Sequence, residues 1–213
     1  MSPAPEFDAS FRARLQELLR WRRDARRFCR EPLPEDAIER LIDIACLAPS
    51  VGLSQPWRFV LVDAPERRQA IAQNFAECNA AALALQIPNR AGKYARLKLA
   101  GLDDAPCHLA VFADPETDQG QGLGRLTMPE MTQYSVVAAV HTLWLAARAE
   151  GIGMGWVSIL DPHAVSTVLD VPASWRLIGY FCLGYPAAVD DVPELEREGW
   201  EVRRPSSVFL VRR

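Results

Sequence analysis

Apolar positions recur at helical spacing from the start of the chain. Phe11, Leu15, Leu18 and Trp21 share one face, which predicts a first helix over about residues 8–22. Pro32 and Pro34 punctuate the next loop. Pro34-Glu35-Asp36 then supplies the proline and acids of a helix first turn, and Ile38, Leu41, Ile42 and Ala45 form an apolar stripe that Pro49 stops. Arg58–Asp63 reads as a short buried strand and residues 65–85 as an Ala-rich helix. His108–Ala113 is a second strand, and the Gly- and Gln-rich Asp114–Leu126 a loop. The longest helix is expected over Pro129–Glu150. Val136, Val140, Leu143 and Ala147 line one stripe and Val137, His141 and Trp144 the next, so this helix should be buried at the centre of the fold. His141 accordingly reads as a hydrogen-bonded core histidine rather than a ligand or base. A Gly-rich strand lies within Gly151–Ile159, a short helix runs from Asp161-Pro162 to Leu169, and Trp175–Gly184 is strongly β-prone. There are no repeats and no regular βαβ rhythm. The pattern predicts a single α+β domain over residues 1–213, with a small central sheet packed around the helix at 129–150.

Composition narrows the class. Of 213 residues 49% are apolar and 24% charged, ordinary for a globular protein, and the net charge of −3 argues against a general nucleic-acid binder. Cys29, Cys46, Cys78, Cys107 and Cys182 are odd in number and widely spaced, which reads as reduced thiols in a cytoplasmic protein rather than a disulfide framework. Three histidines far apart give no metal centre. No signal core is expected at the acidic, Pro-rich N-terminus, and Val136–Ala147 is too short an apolar run for a membrane span.

One stretch departs from this even background. Arg22-Arg23-Asp24-Ala25-Arg26-Arg27 holds four arginines in six residues, and residues 20–30 hold six arginines against the single Asp24. Such a cluster repels itself unless an anion or several carboxylates face it. Arginine forks match phosphate oxygens, so the stretch is either a phosphate site or a solvated basic patch at a helix C-terminus. The acidic segment from Asp190 to Glu201 offsets it elsewhere in the chain. Residues 86–106 form a second basic stretch, with Asn89, Arg90, Lys93, Arg96 and Lys98 among apolar Tyr94, Leu97 and Leu102. It is either a lid, centred on 91–105, or an ordinary surface helix. The alternating glycines of Gly151-Ile152-Gly153-Met154-Gly155 permit close approach of a neighbouring element or of a flat ligand, and lack dinucleotide-fingerprint spacing. The extension over 187–213 carries Trp200, Arg203-Arg204 and Arg212-Arg213, and a tail of this length often wraps a second subunit.

Three stretches together resemble the flavin-dependent nitroreductase superfamily: the Arg-rich segment closing the first helix, Pro49-Ser50-Val51-Gly52-Leu53-Ser54-Gln55-Pro56-Trp57 after the second, and the Gly-rich strand after the long helix. The likeness spans about Arg12 to Arg204. Asp24 stands where the superfamily usually has serine, Leu53 where it has asparagine, and Ser158 where it has glutamate. These departures are similar to those of one branch, the 5,6-dimethylbenzimidazole synthase (BluB) family. That resemblance implies a domain-intertwined homodimer with FMN sites at the interface. It implies oxygen-dependent fragmentation of reduced FMN, through a flavin peroxide, to 5,6-dimethylbenzimidazole and erythrose 4-phosphate, the reduced FMN coming from a separate flavin reductase. An NAD(P)H-dependent nitroreductase or flavin reductase that recycles FMN, and a non-catalytic flavin carrier, are the alternatives on the same fold.

The resemblance also implies site residues. Arg22, Arg23, Asp24, Ala25 and Arg26 would contact FMN, with Arg203 or Arg204 at the phosphate. Ser50 and Ser54 would contact flavin across the dimer or fix their loop, and Leu99 would offer a backbone contact. Ser158 and the N–H of Ile159 would lie near the central ring edge, where the Ser158 hydroxyl could steer oxygen or a proton; otherwise Ser158 is a solvent-facing strand residue. Asp24, the one acid of the cluster, would act as the base on the ribityl chain, or else pair with an arginine and order the loop.

Overall fold

The computed structural model describes residues 4–213. Four strands form one antiparallel sheet: β1 (Trp57–Leu61), β2 (Cys107–Ala113), β3 (Gly153–Val157) and β4 (Arg176–Gly184), in the order β1-β2-β4-β3. Six helices of seven residues or more surround it: α1 (Ala9–Trp21), α2 (Ala37–Ala45), α3 (Pro65–Ala84), α4 (Pro88–Tyr94), α5 (Met131–Ala149) and α6 (Pro162–Leu169). A single turn, α7 (Glu194–Arg197), lies in the C-terminal extension.

The sheet is covered on both faces, so β2 is buried along its whole length and reads as a continuous apolar run. Leu109, Val111, Phe181 and Leu183 point into a core shared with α2 and α5. Ala110, Phe112, Tyr180 and Cys182 point into a second core closed by α3, α6 and Ala100 and Ala105 of the 86–106 segment. The β2–β4 register slips between Val111 and Phe112. All five cysteines are free. Among the described residues no helix is long and apolar enough to cross a membrane.

The helix over Pro34–Pro49 is shorter than expected. The first turn is non-helical apart from Ala37 N donating to Pro34 O, and the residues just before Pro49 are irregular. The long helix is not buried all round. Val136, Ala139, Val140, Leu143, Trp144 and Ala147 face the core, whereas Tyr134, Val137 and His141 are exposed. The expectation of a core His141 is therefore corrected: an apolar stripe marks a face that avoids water, and of this second stripe only Trp144 is covered within one chain. Helix α1 buries no residue fully. Its stripe of Phe11, Leu15 and Leu19 stays largely open, as do Val208, Phe209, Leu210 and Val211 at the C-terminus.

Candidate active site

Residues 22–28 leave α1 as an extended strap. Arg22 ends the helix in β geometry, with its N–H on Leu18 O. The strap then runs beside the edge strand β3: Ala25 N donates to Met154 O at 3.1 Å, and Asp24 and Met154 form a parallel bridge. It crosses to the end of β4, where Cys29 N donates to Tyr185 O at 2.8 Å and Phe28 pairs with Pro186. The glycines of β3 make this approach feasible. A Cβ on Gly155 would stand 2.1 Å from the carbonyl oxygen of Ala25, and one on Gly153 would stand 3.0 Å from Ala25 Cβ. Of the two readings of the alternating glycines, the close neighbour is the strap itself.

Side chains alternate along an extended segment. Arg23 and Arg27 are taken up by the C-terminal extension. Arg23 Nε donates to Asp191 O at 3.0 Å, its Nη2 bonds the same oxygen, and Arg27 Nη1 donates to Glu194 Oε1 at 2.6 Å. The acidic segment of the sequence thus meets the arginines directly. Between the strap and this extension lies a cavity of about 130 Å³, lined in part by Trp21, Trp144 and Arg148. Pockets that enclose drug-sized ligands run to roughly 300–1,000 Å³, so this cavity does not hold a flavin nucleotide.

The even-numbered residues have other partners. Asp24 Oδ1 accepts from Trp156 N at 2.8 Å, and its Oδ2 accepts from Arg26 Nε at 2.7 Å. Arg26 is nearly buried and also donates from Nη1 to Lys98 O at 3.0 Å. Asp24 keeps about a third of its side chain exposed. Arg22 lies with its guanidinium carbon 4.7 Å from the centre of the Trp144 ring, and its buried Nε has no hydrogen-bond partner. Burial lowers the pKa of Arg22 despite the attraction of Asp24, and repulsion from Arg203 lowers it further. Arg23 is lowered by burial and by Arg203 and Arg22 together, against the pull of Asp191 and Asp190. Three guanidinium groups thus stand close enough to repel one another, and Arg203 and Arg22 have no carboxylate bonded to them. Such charge is relieved when an anion comes to rest against it. Arg204 is exposed.

The other expected residues are spread more widely. Ser158 and Ile159 come directly after β3, two and three residues beyond the Trp156 N–H that binds Asp24; Ser158 is exposed and Ile159 half-buried. Leu99 is half-buried beside Lys98, whose carbonyl holds Arg26. Ser50 and Ser54 lie in a loop fastened to α5 by Val51 N donating to Ser135 Oγ at 3.0 Å. Ser50 Oγ accepts from Gln55 N at 3.1 Å, whereas Ser54 Oγ is buried without a partner. Leu53 and Gln55 have positive φ, and Gln119 Nε2 fastens both, donating to Leu53 O and to Gln55 Oε1 at 2.9 Å each. Reading the sequence missed Gln119, Lys98 O and Trp156 N–H. The first sits in an unremarkable Gly/Gln loop, and backbone groups leave no mark on a pattern.

The segment 86–106 packs onto the strap and the tail. Phe28 fills the space at Gly101, where a Cβ would meet its ring at 2.3 Å, and Tyr94 and Arg90 flank Trp200, with ring centroids of Tyr94 and Trp200 6.1 Å apart.

This fold, with its arginine strap along a Gly-rich edge strand, places the chain in a class: it belongs to the nitroreductase family, whose model matches residues 19–185. The chain is 57% identical over 208 residues to the 5,6-dimethylbenzimidazole synthase of Rhodospirillum rubrum, covering 98% of this chain and 99% of that protein. It is 46% identical to a 5,6-dimethylbenzimidazole synthase of Rhodobacter capsulatus, covering 94% and 97%. Among solved structures it resembles iodotyrosine deiodinase bound to FMN and 3-iodo-L-tyrosine, with a TM-score of 0.70 and 24% identity over 83% of this chain and 91% of that one.

Proposed function

We propose that this chain converts reduced FMN and molecular oxygen into 5,6-dimethylbenzimidazole, the lower ligand of cobalamin, and leaves erythrose 4-phosphate from the ribityl tail. The observation that carries this reading is the 57% identity to a 5,6-dimethylbenzimidazole synthase along 98% of the chain. The residues fit a phosphorylated flavin. Mutually repelling guanidiniums and an unpartnered Arg22 Nε call for an anion, and a carboxylate stands within the same strap.

Reduced flavin supplies both the electrons that activate oxygen and the carbon skeleton of the product. Arg22 and Arg203 hold its phosphate, since burying a dianion is costly unless cations are paired with it. Asp24 takes a proton at the ribityl carbon that becomes part of the imidazole. Ser158 and the N–H of Ile159 stand at the ring edge, and residues 91–105 cover the ring and keep water away. The cavity between strap and extension is too small for the flavin, and α1, the outer face of α5 and the tail leave apolar surface open. Both features support a homodimer in which Ser50 and Ser54 reach the partner's flavin. A separate cytoplasmic flavin reductase supplies reduced FMN.

The test uses purified protein, photoreduced FMN and air, with no nicotinamide, and mass spectrometry of the products. Dimethylbenzimidazole is expected. Recovery of the flavin intact and oxidised, turnover after turnover, overturns the reading in favour of a flavin-recycling reductase.

A further inference from the structure

We propose that Arg26 is a positioning residue: it fixes the Asp24 carboxylate and makes that orientation depend on the seating of residues 95–106. The inference rests on Asp24 acting on the substrate, as in the proposed function.

A carboxylate rotates freely unless both oxygens are held. Here each oxygen has one donor, from different parts of the fold. Oδ1 takes the Trp156 N–H of β3 at 2.8 Å, and Oδ2 takes the Arg26 Nε–H at 2.7 Å. One lone pair on each oxygen is left, and these two bonds set which way it points. Arg26 is itself held at both ends. Its side chain is 11% exposed, and its Nη1 is committed to Lys98 O at 3.0 Å. A guanidinium has a rigid planar fork, so the carbonyl at one tip and the carboxylate at its Nε are locked together. Arg26 therefore does not share the task of Arg22 and Arg203. Its charge is committed to Asp24, whereas theirs have no bonded carboxylate.

Lys98 belongs to the segment that rests on the strap through Gly101 and Phe28. A Cβ on Gly101 would lie 2.3 Å from the Phe28 ring and 3.4 Å from Arg26 O. Any lifting of this segment withdraws the Lys98 carbonyl from Arg26 and frees the fork that orients Asp24. Seating of the segment over bound substrate and alignment of the carboxylate become one event, which keeps the base idle until the site is covered.

The experiment compares wild type, Arg26→Gln, Arg26→Lys, Gly101→Ala, Asp24→Asn and the Asp24→Asn/Arg26→Gln double variant. Anaerobic titration gives the affinity for reduced FMN, and single-turnover reaction with air gives the rate of dimethylbenzimidazole formation. Arg26→Gln is expected to keep affinity within about threefold and to lose at least tenfold in rate. Arg26→Lys should recover little of that rate, because a point charge cannot span both acceptors. Gly101→Ala, which leaves every polar group in place, should lose rate in the same way with affinity kept. The double variant should be no slower than Asp24→Asn alone, since the arginine acts through the acid. Loss of affinity in Arg26→Gln that matches its loss of rate would make Arg26 a flavin ligand and overturn the proposal. So would full rate in Arg26→Gln or Gly101→Ala, or losses that multiply in the double variant. Failure of wild type to make dimethylbenzimidazole would instead strike the functional reading beneath it.

Discussion

Asp24 and His108 show how differently one fold treats two titratable side chains. Asp24 is held by two hydrogen bonds and keeps an exposed edge, which suits the role of base proposed for it. Replacing it with asparagine keeps the shape and removes the base. Asp24→Asn is expected to bind FMN within a few-fold of wild type, by fluorescence titration, and to form product at least 100-fold more slowly. His108 is almost wholly buried, with Nδ1 2.9 Å from the Tyr180 hydroxyl. Burial, reinforced by Arg68, lowers its pKa from 6.5 to about 4. The unfolded chain therefore binds a proton that the folded chain refuses between those values. Stability from this residue is complete above about pH 6.5 and falls as the pH drops toward 4, by about 3 kcal/mol in all. Urea unfolding at pH 7 and pH 4.5 should show this loss in wild type and a clearly smaller one in His108→Gln.

At the scale of elements, the strap and β3 are a matched pair. Gly155 has no Cβ because Ala25 O occupies that place. Gly155→Ala must push the strap outward, stretching the Ala25–Met154 bond and drawing Asp24 off Trp156 N. Overpacking of this kind costs about 1–3 kcal/mol. The expected outcome is a Tm lower by several degrees, by calorimetry, together with much weaker flavin binding. Much of this level was legible in the sequence. Helical spacing located α1, α2 and α5, alanine content located α3, and the apolar run after His108 located β2, because those patterns are local. The strap announced itself through charge density and the acidic segment that answers it. What the sequence could not carry is pairing between distant backbone groups: Asp24 with Trp156 N and Arg26 with Lys98 O lie 132 and 72 residues apart. His141 differs from its sequence expectation for a related reason. Periodicity reports that a face is apolar and is silent about which surface covers it.

For the molecule as a whole, the open apolar surface is the feature that bears on the proposed homodimer. Phe11, Leu15 and Leu19 on α1, Tyr134 and Val137 on α5, and the Val208–Val211 stretch are all exposed, and apolar surface of this kind is what a second copy would cover. Light scattering at micromolar concentration should give a dimer. Val137→Asp, placed on the outer face of α5, is expected to shift the protein to monomer and to weaken flavin binding at least tenfold, because the proposed site takes Ser50 and Ser54 from the partner.

The seam between strap and extension has a bearing on how the protein is made. Arg27 waits for Glu194, 167 residues later. At roughly 5–20 residues per second, ribosomes need about 8–33 seconds to cover that interval. Throughout it the arginines hang from a nascent chain without their acidic partners, a cationic tract open to any polyanion nearby. The seam between strap and extension is thus completed among the last events of biosynthesis, and chains truncated before Asp190 should emerge with the tract still bare.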